Sequence, residues 1–264
     1  MSKPDMADVA SQSDDRNISI DKVGVKDLRY PISLLDRAKG IQHTIGSFNM
    51  YVNLPHQFKG THMSRFIELL NESRGEISID QFGDLLEAIR DRLHAEAAHL
   101  EVEFPYFIEK KAPVTQAPGM MEYTCRVVGE IRNGERKVSI AVTVPVSTLC
   151  PCSKEISAYG AHNQRGFVTI GFRFRDMVWI EEIIEIAENS ASSAVYSLLK
   201  REDEKFVTEQ AFRNPVFVED VVRNVAQVLD ADQRITWYSV EVENFESIHN
   251  HNAYAMIERS DRDD

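Results

Sequence analysis

Hydrophobic residues recur along the chain with two different periods, and the period predicts the type of element. Apolar residues at every second position, as at Val138, Ile140, Val142 and Val144, are typical of a half-buried strand. Apolar residues at every third or fourth position, as in residues 82–93, predict an amphipathic helix. Extended structure is predicted at residues 28–55, 102–108, 121–131, 138–144, 164–175, 235–242 and 253–257. Helices are predicted at residues 63–70, 82–93, 180–198 and 218–229.

Turn and breaker residues separate these elements. The Asn133-Gly134 pair between two alternating runs is a strong signal for a tight hairpin. Gly75 is expected to end the first helix, and Ser78 with Gln81 forms a candidate capping box for the second. The resulting order is strand-strand-helix-helix-strand-strand, repeated twice, with the hairpin near the join. This order predicts an α+β fold in which helices cover one face of antiparallel sheets.

The repeated order divides the chain into four predicted regions. Residues 1–22 carry few large apolar side chains and are expected to be disordered, as are residues 259–264. Residues 23–132 and residues 133–258 are predicted to form two tandem units with the same pattern. Each unit alone would leave open sheet edges, so we expect closure or oligomerisation to cover them.

Composition narrows the classes of function. The chain has 264 residues and a formal net charge of −12. This charge is unlike the basic footprint of a sequence-independent nucleic-acid binder, although a local basic pocket can still hold a small anion. No run approaches the roughly 20 apolar residues that a membrane-spanning helix needs. Three cysteines are too few for a disulfide scaffold, and the polar, acidic N-terminus is unlike a signal peptide, so we expect a cytoplasmic protein.

Residues 145–157 (PVSTLCPCSKEIS) and 159–165 (YGAHNQR) carry the most informative chemistry. Cys150 and Cys152 flank a proline, and His162 follows in a loop with glycine and asparagine. A thiolate and an imidazole together suit zinc or a similar divalent ion. Two small buried residues with a surface histidine, or a catalytic thiol activated by a nearby base or metal, are the alternatives. In an extended loop, Cys152 would face the same cavity as Cys150.

Two further histidines lie near the C-terminus. His249 and His251 follow Glu246 in a stretch that interrupts a strand pattern. Catalytic zinc sites commonly combine three protein ligands from distant segments with a water. Together with the cysteine and histidine of the central segments, either residue is a candidate ligand, and the alternative is a pair of surface histidines.

Other charged residues suggest substrate contacts. Glu219 lies at the start of an apolar helix, where either the helix dipole or a flat ligand edge with two donors would explain a carboxylate. Residues 200–205 (KREDEK) are expected to be the solvated end of the preceding helix. Lys59, His62 and Arg65 surround a helix start, where backbone N–H groups favour phosphate; the alternative is a capped helix with surface charges. No G-x-x-x-x-G-K-[ST] motif occurs, which argues against a P-loop nucleotide enzyme.

Four segments together resemble the prokaryotic type IB GTP cyclohydrolases, namely residues 59–65 (KGTHMSR), 145–157, 159–165 and 249–254 (HNHNAY). The resemblance extends over about residues 23–258, with the motifs in the family's order. It implies the tunnelling fold, in which a strand-strand-helix-helix-strand-strand unit occurs twice per chain and assembles into barrels between subunits. It further implies a homotetramer with its sites at subunit interfaces and GTP as the substrate. Neither nucleic acid nor a membrane is expected as a partner, because of the acidic charge and the lack of a long apolar run.

The resemblance also implies roles for individual residues. The positions that match the family's metal ligands are Cys150, His162, Glu204 and His249. The implied metal is zinc or manganese. Cys152 matches a cysteine that acts in catalysis, and Glu219 matches the carboxylate that anchors the purine ring. Glu204 is assigned by the resemblance alone, because its charge run carries no metal signal of its own.

The expected reaction begins with water attack at C8 of GTP. Release of formate, rearrangement of the ribose and ring closure then give 7,8-dihydroneopterin triphosphate, the first step of tetrahydrofolate biosynthesis. A divalent metal lowers the pKa of its bound water to about 7, and Cys152 and His162 are candidates for proton transfer. Glu219 is expected to accept two guanine N–H donors, and the cations of residues 59–65 are expected to bind the triphosphate.

Two other functions are alternatives. A tunnelling-fold nitrile reductase would act on a deazapurine through a cysteine nucleophile and NADPH, without a metal. The combination of Cys150 with His162 and His249 argues against that function. A non-enzymatic protein with a structural zinc would use a closed set of four thiol or imidazole ligands, which a set containing a carboxylate fits poorly.

Overall fold

The structure is a computed structural model that describes residues 9–10, 12–72 and 81–259. Parts of the predicted disordered ends, residues 1–8, 11 and 260–264, lie outside the described residues. The helix break predicted at Gly75 and the capping box predicted at Ser78 also lie outside them. Residues 20–22, which belong to the predicted disordered segment, form the start of the first strand.

Nine strands and six helices occur in the described part of the chain. The strands are β1 (Ile20–Asp36), β2 (Gly40–Leu54), β3 (Ala98–Lys111), β4 (Pro118–Arg132), β5 (Glu135–Leu149), β6 (Asn163–Phe174), β7 (Ser193–Ala194), β8 (Ile235–Asn244) and β9 (Ala253–Arg259). The helices are α1 (Ser64–Glu72), α2 (Phe82–Arg92), α3 (Pro151–Ile156), α4 (Ile180–Ser190), α5 (Arg201–Arg213) and α6 (Val218–Ala231). None of these helices is long and apolar enough to cross a membrane.

The chain forms two compact units, each discontinuous in sequence. The first comprises Met1–Phe104 and Arg126–Val138, and the second comprises Pro105–Cys125 and Ser139–Asp264. Strands β3, β4 and β5 therefore contribute residues to both units. The tandem repeat divided between residues 132 and 133 stays a prediction.

In the first unit, strands follow the order β1-β2-β3 with parts of β4 and β5 after them. Strands β1 and β2 pair antiparallel, and β2 alternates so that Phe48 and Met50 are fully buried. Helices α1 and α2 contact each other, and each buries one apolar face. Gly129 on β4 allows α2 to approach closely, because a Cβ there would lie 2.6 Å from the ring of Phe82.

In the second unit, the strand order is β3-β4-β5-β6-β8-β9, with β7 paired to β5. Strands β5, β6, β8 and β9 are antiparallel to their neighbours. Helix α6 contacts α4 as well as strands β8 and β9, and it buries a continuous apolar stripe. The hydroxyl of Tyr238 on β8 donates to Asp230 on α6 at 2.8 Å, which ties the helix to the sheet.

The predicted hairpin is confirmed between β4 and β5. Asn133 and Gly134 have φ angles of 53° and 80°, so both central residues of the turn occupy the left-handed region. Asparagine and glycine tolerate this conformation best, which is why this dipeptide predicted the turn.

The predicted helix over residues 180–198 is wrong in its second half, because α4 ends at Ser190. Two side-chain amides satisfy carbonyls at this helix end: Asn224 donates to the Ser190 carbonyl at 3.3 Å, and Asn214 donates to the Ala191 carbonyl at 2.9 Å. The next residues then pair with β5 as strand β7. These partners come from distant positions, so the apolar spacing of the segment contained no sign of the helix end.

The prediction that the charge run of residues 200–205 is the end of the preceding helix is also wrong. It begins a new helix, α5, at Arg201. Asp203 is fully buried and accepts a hydrogen bond from the backbone N–H of Lys200 at 2.9 Å. The run therefore contains the capping group of a helix N-terminus.

Candidate functional site

The pairing of β5 with β6 brings Cys150 and His162 together. The two strands run antiparallel, with Leu149 at the end of β5 opposite Asn163 at the start of β6. One step beyond this pair, the backbone N–H of Cys150 donates to the carbonyl of His162 at 3.1 Å. Two of the predicted metal ligands thus lie side by side, at the end of the strand pair where the loop joins β5 to β6.

Helix α3 positions the two cysteines differently. Cys150 is the residue before the helix, and its Sγ accepts a hydrogen bond from the backbone N–H of Ser153 at 3.4 Å. Pro151 then starts the helix, a position where its missing N–H has no cost. Cys152 lies in the first turn and is exposed, so the expectation that it stands in an extended loop is wrong. Its catalytic role stays a prediction.

A chain of side-chain hydrogen bonds orients the imidazole of His162. Its Nδ1 lies 2.9 Å from Oε1 of Gln164, and Nε2 of the same amide donates to Thr148 Oγ1 at 2.8 Å. Since the amide N–H donates to Thr148, the amide oxygen faces His162 and accepts a hydrogen bond from Nδ1–H. The other ring nitrogen, Nε2, then keeps its lone pair for a ligand.

His249 and Glu246 complete this side of the site. The rings of His162 and His249 meet edge to face with centroids 6.3 Å apart, and His249 stacks on His251 at 5.2 Å. Oε2 of Glu246 lies 3.8 Å from Nδ1 of His162. This oxygen is buried and has no hydrogen-bond partner among the described residues.

The remaining predicted ligand, Glu204, is exposed in the first turn of α5. A thiol, an oriented imidazole and a second imidazole are donor types that fit a divalent ion such as zinc. However, no three His, Cys, Asp or Glu side chains of one chain converge on a single point within the described ranges. The metal site therefore stays a prediction.

A cavity of about 320 Å³ lies beside this cluster in the second unit. Its lining contains two carboxylates, two amides, a thiol and two aromatic rings, and none of its residues is cationic. Such a lining accepts hydrogen bonds and favours a ligand edge that is rich in N–H donors. The lining residues are Cys150, Gln164, Val216, Phe217, Val218, Glu219, Asn244, Glu246, Ala253 and Tyr254.

Glu219 is not needed as a helix cap. It lies in the first turn of α6, but the adjacent Asp220 accepts the hydrogen bond from the backbone N–H of Phe217 at 3.0 Å. The Glu219 side chain is exposed, and it has no hydrogen-bond or ion-pair partner in the part of the chain that the structure describes. A helix N-terminus favours a negative charge at this position. The Glu219 carboxylate lies in the cavity wall.

The predicted triphosphate ligands belong to the first unit. Helix α1 begins at Ser64, so the residues do surround a helix start as predicted. Lys59 is exposed, and its backbone N–H donates to the carbonyl of Gln12 at 2.9 Å. The guanidinium of Arg65 reaches the carbonyl of Arg92 at 3.4 Å, and the carbonyl of His62 accepts from the N–H of Arg65 at 3.2 Å. Phosphate binding by these three residues stays a prediction.

A larger cavity, of about 600 Å³, lies in the first unit and contains none of the predicted site residues. Its lining mixes Lys22 and Arg132 with Asp21, Glu96 and Glu130, so it has no clear charge preference. Cavity volume alone therefore does not identify the site. The smaller cavity is favoured because Cys150 and Glu219 line it.

Sequence reasoning missed Gln164, and it did not single out Asn244, a buried polar residue of the cavity lining. Gln164 stands within the 159–165 segment, but its role depends on a partner at Thr148 that only strand pairing reveals. Asn244 had a signal: it continues the buried positions Tyr238, Val240 and Val242 of β8, where a polar side chain is unexpected.

Comparison with solved structures identifies the fold. The chain resembles uricase from Arthrobacter globiformis with a TM-score of 0.56 and 9% identity, covering 92% of this chain and 96% of that one. It resembles urate oxidase from Bacillus subtilis with a TM-score of 0.54 and 8% identity, covering 92% and 98%. At this identity the likeness concerns the fold alone. It confirms the predicted α+β tunnelling fold with antiparallel sheets.

Comparison of sequences identifies the family. The chain is 61% identical over 256 residues to GTP cyclohydrolase FolE2 of Syntrophobacter fumaroxidans, covering 97% of this chain and 100% of the relative. It is 60% identical over 254 residues to GTP cyclohydrolase FolE2 of Syntrophus aciditrophicus, covering 96% and 100%. A family model described as "Type I GTP cyclohydrolase folE2" matches residues 6–255. The chain therefore belongs to the type I GTP cyclohydrolase FolE2 family.

Proposed function

We propose that this protein is a type IB GTP cyclohydrolase that converts GTP and water into 7,8-dihydroneopterin triphosphate and formate. Relatives with the name GTP cyclohydrolase that match nearly the full chain support this activity over the nitrile reductase alternative. The observation that carries the proposal is the location of the unpaired Glu219 carboxylate in the same cavity wall as Cys150. Base recognition and hydrolytic chemistry thereby share one cavity.

Glu219 recognises the base in this proposal. Guanine presents N1–H and one N2–H in parallel, and a carboxylate accepts such a pair with two charge-assisted hydrogen bonds. The cavity lining has no cationic side chain among the described residues, which favours the base over the triphosphate as its occupant. The lining also includes the rings of Phe217 and Tyr254, which are partly exposed and suit contact with the faces of a flat base.

A divalent ion, zinc or manganese, is proposed as the cofactor. Cys150, His162, Glu204 and His249 would hold it, with Gln164 orienting the imidazole of His162. Such an ion lowers the pKa of a bound water to about 7 and so provides a nucleophile at neutral pH. Cys152 is proposed to move protons to and from the ring nitrogens as the imidazole ring of guanine opens. The contribution proposed for His162 is that of a metal ligand, because its Nδ1–H faces Gln164 and leaves only Nε2 for the ion.

A second copy of the chain is proposed to complete the site. No three metal-ligating side chains of the described residues converge within one chain, although the donor types fit. Lys59, His62 and Arg65 of a neighbouring copy would then bind the triphosphate in a homotetramer. A cytoplasmic location and a role in the first step of tetrahydrofolate biosynthesis belong to the same proposal.

The proposal is tested by incubating the purified protein with GTP in the presence of zinc or manganese. We expect one formate released for each pteridine formed, the latter followed by fluorescence after oxidation. A chelator should stop both signals, and light scattering should report a particle of four chains. Absence of formate from the metal-loaded protein would contradict the cyclohydrolase, and oxidation of NADPH with a deazapurine nitrile would support the reductase instead.

A further inference from the structure

Ser153 lies in the first turn of α3, and its hydroxyl is hydrogen-bonded to both Cys150 and His162. Its Oγ accepts a hydrogen bond from the backbone N–H of His162 at 3.2 Å and donates to the carbonyl of Cys150 at 3.2 Å. The backbone N–H of Cys150 donates in turn to the carbonyl of His162 at 3.1 Å. These three hydrogen bonds form a closed ring that contains the backbone of two proposed metal ligands.

The hydroxyl takes the place of a ladder bond between β5 and β6. Leu149 pairs with Asn163, so Cys150 and His162 are the next residues that lie opposite each other. A hydrogen-bonded pair of an antiparallel ladder exchanges two direct N–H···O bonds. Here the bond from the Cys150 N–H is direct, whereas the return bond from the His162 N–H runs through the Ser153 hydroxyl. One side-chain oxygen is therefore inserted between the two residues.

Helix α3 explains why the return bond is not direct. Cys150 is the N-cap residue, and its carbonyl accepts the first helical hydrogen bond from the N–H of Lys154 at 3.2 Å. This carbonyl is thus turned into the helix, and the Ser153 hydroxyl spans the remaining gap to the neighbouring segment. The hydroxyl is not needed to cap the helix, because Sγ of Cys150 accepts the hydrogen bond from the Ser153 N–H at 3.4 Å.

The inserted hydroxyl sets the spacing of two side chains on one face of the sheet. Opposite residues of an antiparallel pair share a face, and on this face Gln164 contacts both Thr148 and His162. Cys150 and Gln164 also line the same cavity. A bound zinc ion tolerates only narrow distances, about 2.3 Å to a thiolate and about 2.0–2.1 Å to an imidazole nitrogen. The separation of the two backbones therefore affects how well both side chains can reach one ion.

We propose that Ser153 is a positioning residue that holds Cys150 and His162 at the separation that a single divalent ion requires. This assignment rests on the proposed function, because it takes both residues as ligands of that ion. The hydroxyl of Ser153 contributes no ligand atom. It sets the spacing of the two ligand backbones, whereas Gln164 sets the orientation of the imidazole ring.

The test compares Ser153→Thr with Ser153→Val, two β-branched side chains of the same shape of which only threonine has the hydroxyl. We expect Ser153→Val to bind zinc about 10- to 100-fold more weakly than Ser153→Thr, by competition with a chelator of known affinity. At saturating cobalt, the thiolate-to-metal charge-transfer band should be weaker in Ser153→Val, because Cys150 is no longer held at the correct spacing. Ser153→Ala, which removes the hydroxyl without adding volume, should shift the Kd in the same direction.

Ser157→Ala is the matched control at the other end of α3. The hydroxyl oxygen of Ser157 accepts from the N–H of Tyr159 at 3.3 Å, and none of its hydrogen bonds in the described structure reaches Cys150 or His162. This control should keep the wild-type Kd and cobalt band even where its melting temperature falls. A role of Ser153 in helix stability alone would lower the melting temperature without changing the cobalt band at saturation.

Equal zinc Kd values for Ser153→Val and Ser153→Thr would overturn the proposal, as would a wild-type Kd in Ser153→Ala if the valine protein does not fold. An equal loss of affinity in Ser157→Ala would also overturn it, because the effect would then come from the helix as a whole. A wild-type protein that binds neither zinc nor cobalt would contradict the metal site and this assignment together. Metal binding is measured without GTP, so a failure of the cyclohydrolase reaction is distinct from a failure of this proposal.

Discussion

The Oε1 atom of Gln164 lies 2.9 Å from Nδ1 of His162, at the point where β6 begins. The same amide is held from its other end by Thr148 on β5. Gln164 thus determines which ring nitrogen of His162 carries the proton and which one keeps its lone pair. Acceptors that orient an imidazole in this way contribute strongly to metal affinity in other proteins, although they do not touch the metal.

Replacing Gln164 with Leu should therefore weaken zinc binding about 10- to 100-fold. The measurement is the Kd for zinc by competition with a chelator of known affinity. Thr148→Val should shift the Kd in the same direction by a smaller factor. Thr143→Val, which breaks a 3.0 Å hydroxyl pair with Thr169 between the same two strands, is the control and should leave the Kd unchanged. A wild-type Kd in Gln164→Leu would mean that this amide does not prepare the imidazole for metal.

The two cysteines are expected to have different roles, Cys150 in metal binding and Cys152 in proton transfer. Cys150 lines the cavity and is backbone-bonded to His162, whereas Cys152 is exposed on the first turn of α3. We expect Cys150→Ala to lose most of its bound metal by elemental analysis. Cys152→Ser should keep its metal and lose activity with GTP by roughly 10²- to 10⁴-fold, the range that general acid–base catalysis supplies. Loss of metal from Cys152→Ser would instead make Cys152 a ligand.

Glu219 and Asp220 should have different functions despite their adjacent positions. Glu219→Gln places an N–H donor against guanine donors, so kcat/KM for GTP should fall at least roughly tenfold, with metal content and melting temperature unchanged. Asp220→Ala removes the hydrogen bond to the Phe217 N–H and should cost about 1 kcal/mol of stability, with activity retained. A Glu219→Gln protein with normal turnover and a lowered melting temperature would assign Glu219 to the helix instead.

Asp203 should make the stability of the protein sensitive to acid. Burial by itself would raise the pKa of Asp203, but hydrogen bonds from Thr115 and from the backbone N–H groups of Lys200 and Val114 outweigh it and lower the pKa. A carboxyl whose pKa is lowered by folding stabilises the native state above its ordinary pKa of 3.8. That stabilisation is lost as the pH falls below this value toward the lower pKa of the folded state.

The melting temperature measured from neutral pH downward checks this expectation. Asp203→Asn should melt at a lower temperature than wild type at neutral pH, and the difference should shrink as the pH falls below about 4. Asp176→Asn, a change at an exposed carboxylate, is the control. A difference between wild type and Asp203→Asn that stays constant with pH would show that the effect does not come from the charge of Asp203.

The local pattern of the sequence was sufficient to predict most elements and the fold class. Alternation predicted every strand of the described residues except β7, three-to-four spacing predicted α1, α2, α6 and the first part of α4, and Asn133-Gly134 predicted its hairpin. Helices α3 and α5 were not predicted. These features depend on neighbours within a few residues, and the motif resemblance pointed to the family that the comparisons confirmed. The end of α4 was not predicted, and the amides that satisfy the carbonyls there belong to Asn214 and Asn224, at distant positions in the chain.

The arrangement of the site was decided by tertiary structure. Cys150 and His162 become neighbours because β5 and β6 pair, and Gln164 gains its role only through that pairing. The sequence offered two explanations for Glu219, the helix dipole and a ligand edge, and the structure adds that Asp220, rather than Glu219, accepts the hydrogen bond at the start of α6. The sequence by itself therefore determined which chemical groups are present, since composition and spacing are local properties. Only the folded chain decided which groups are already paired and which line a cavity, because hydrogen-bond partners are brought together across strands and helices.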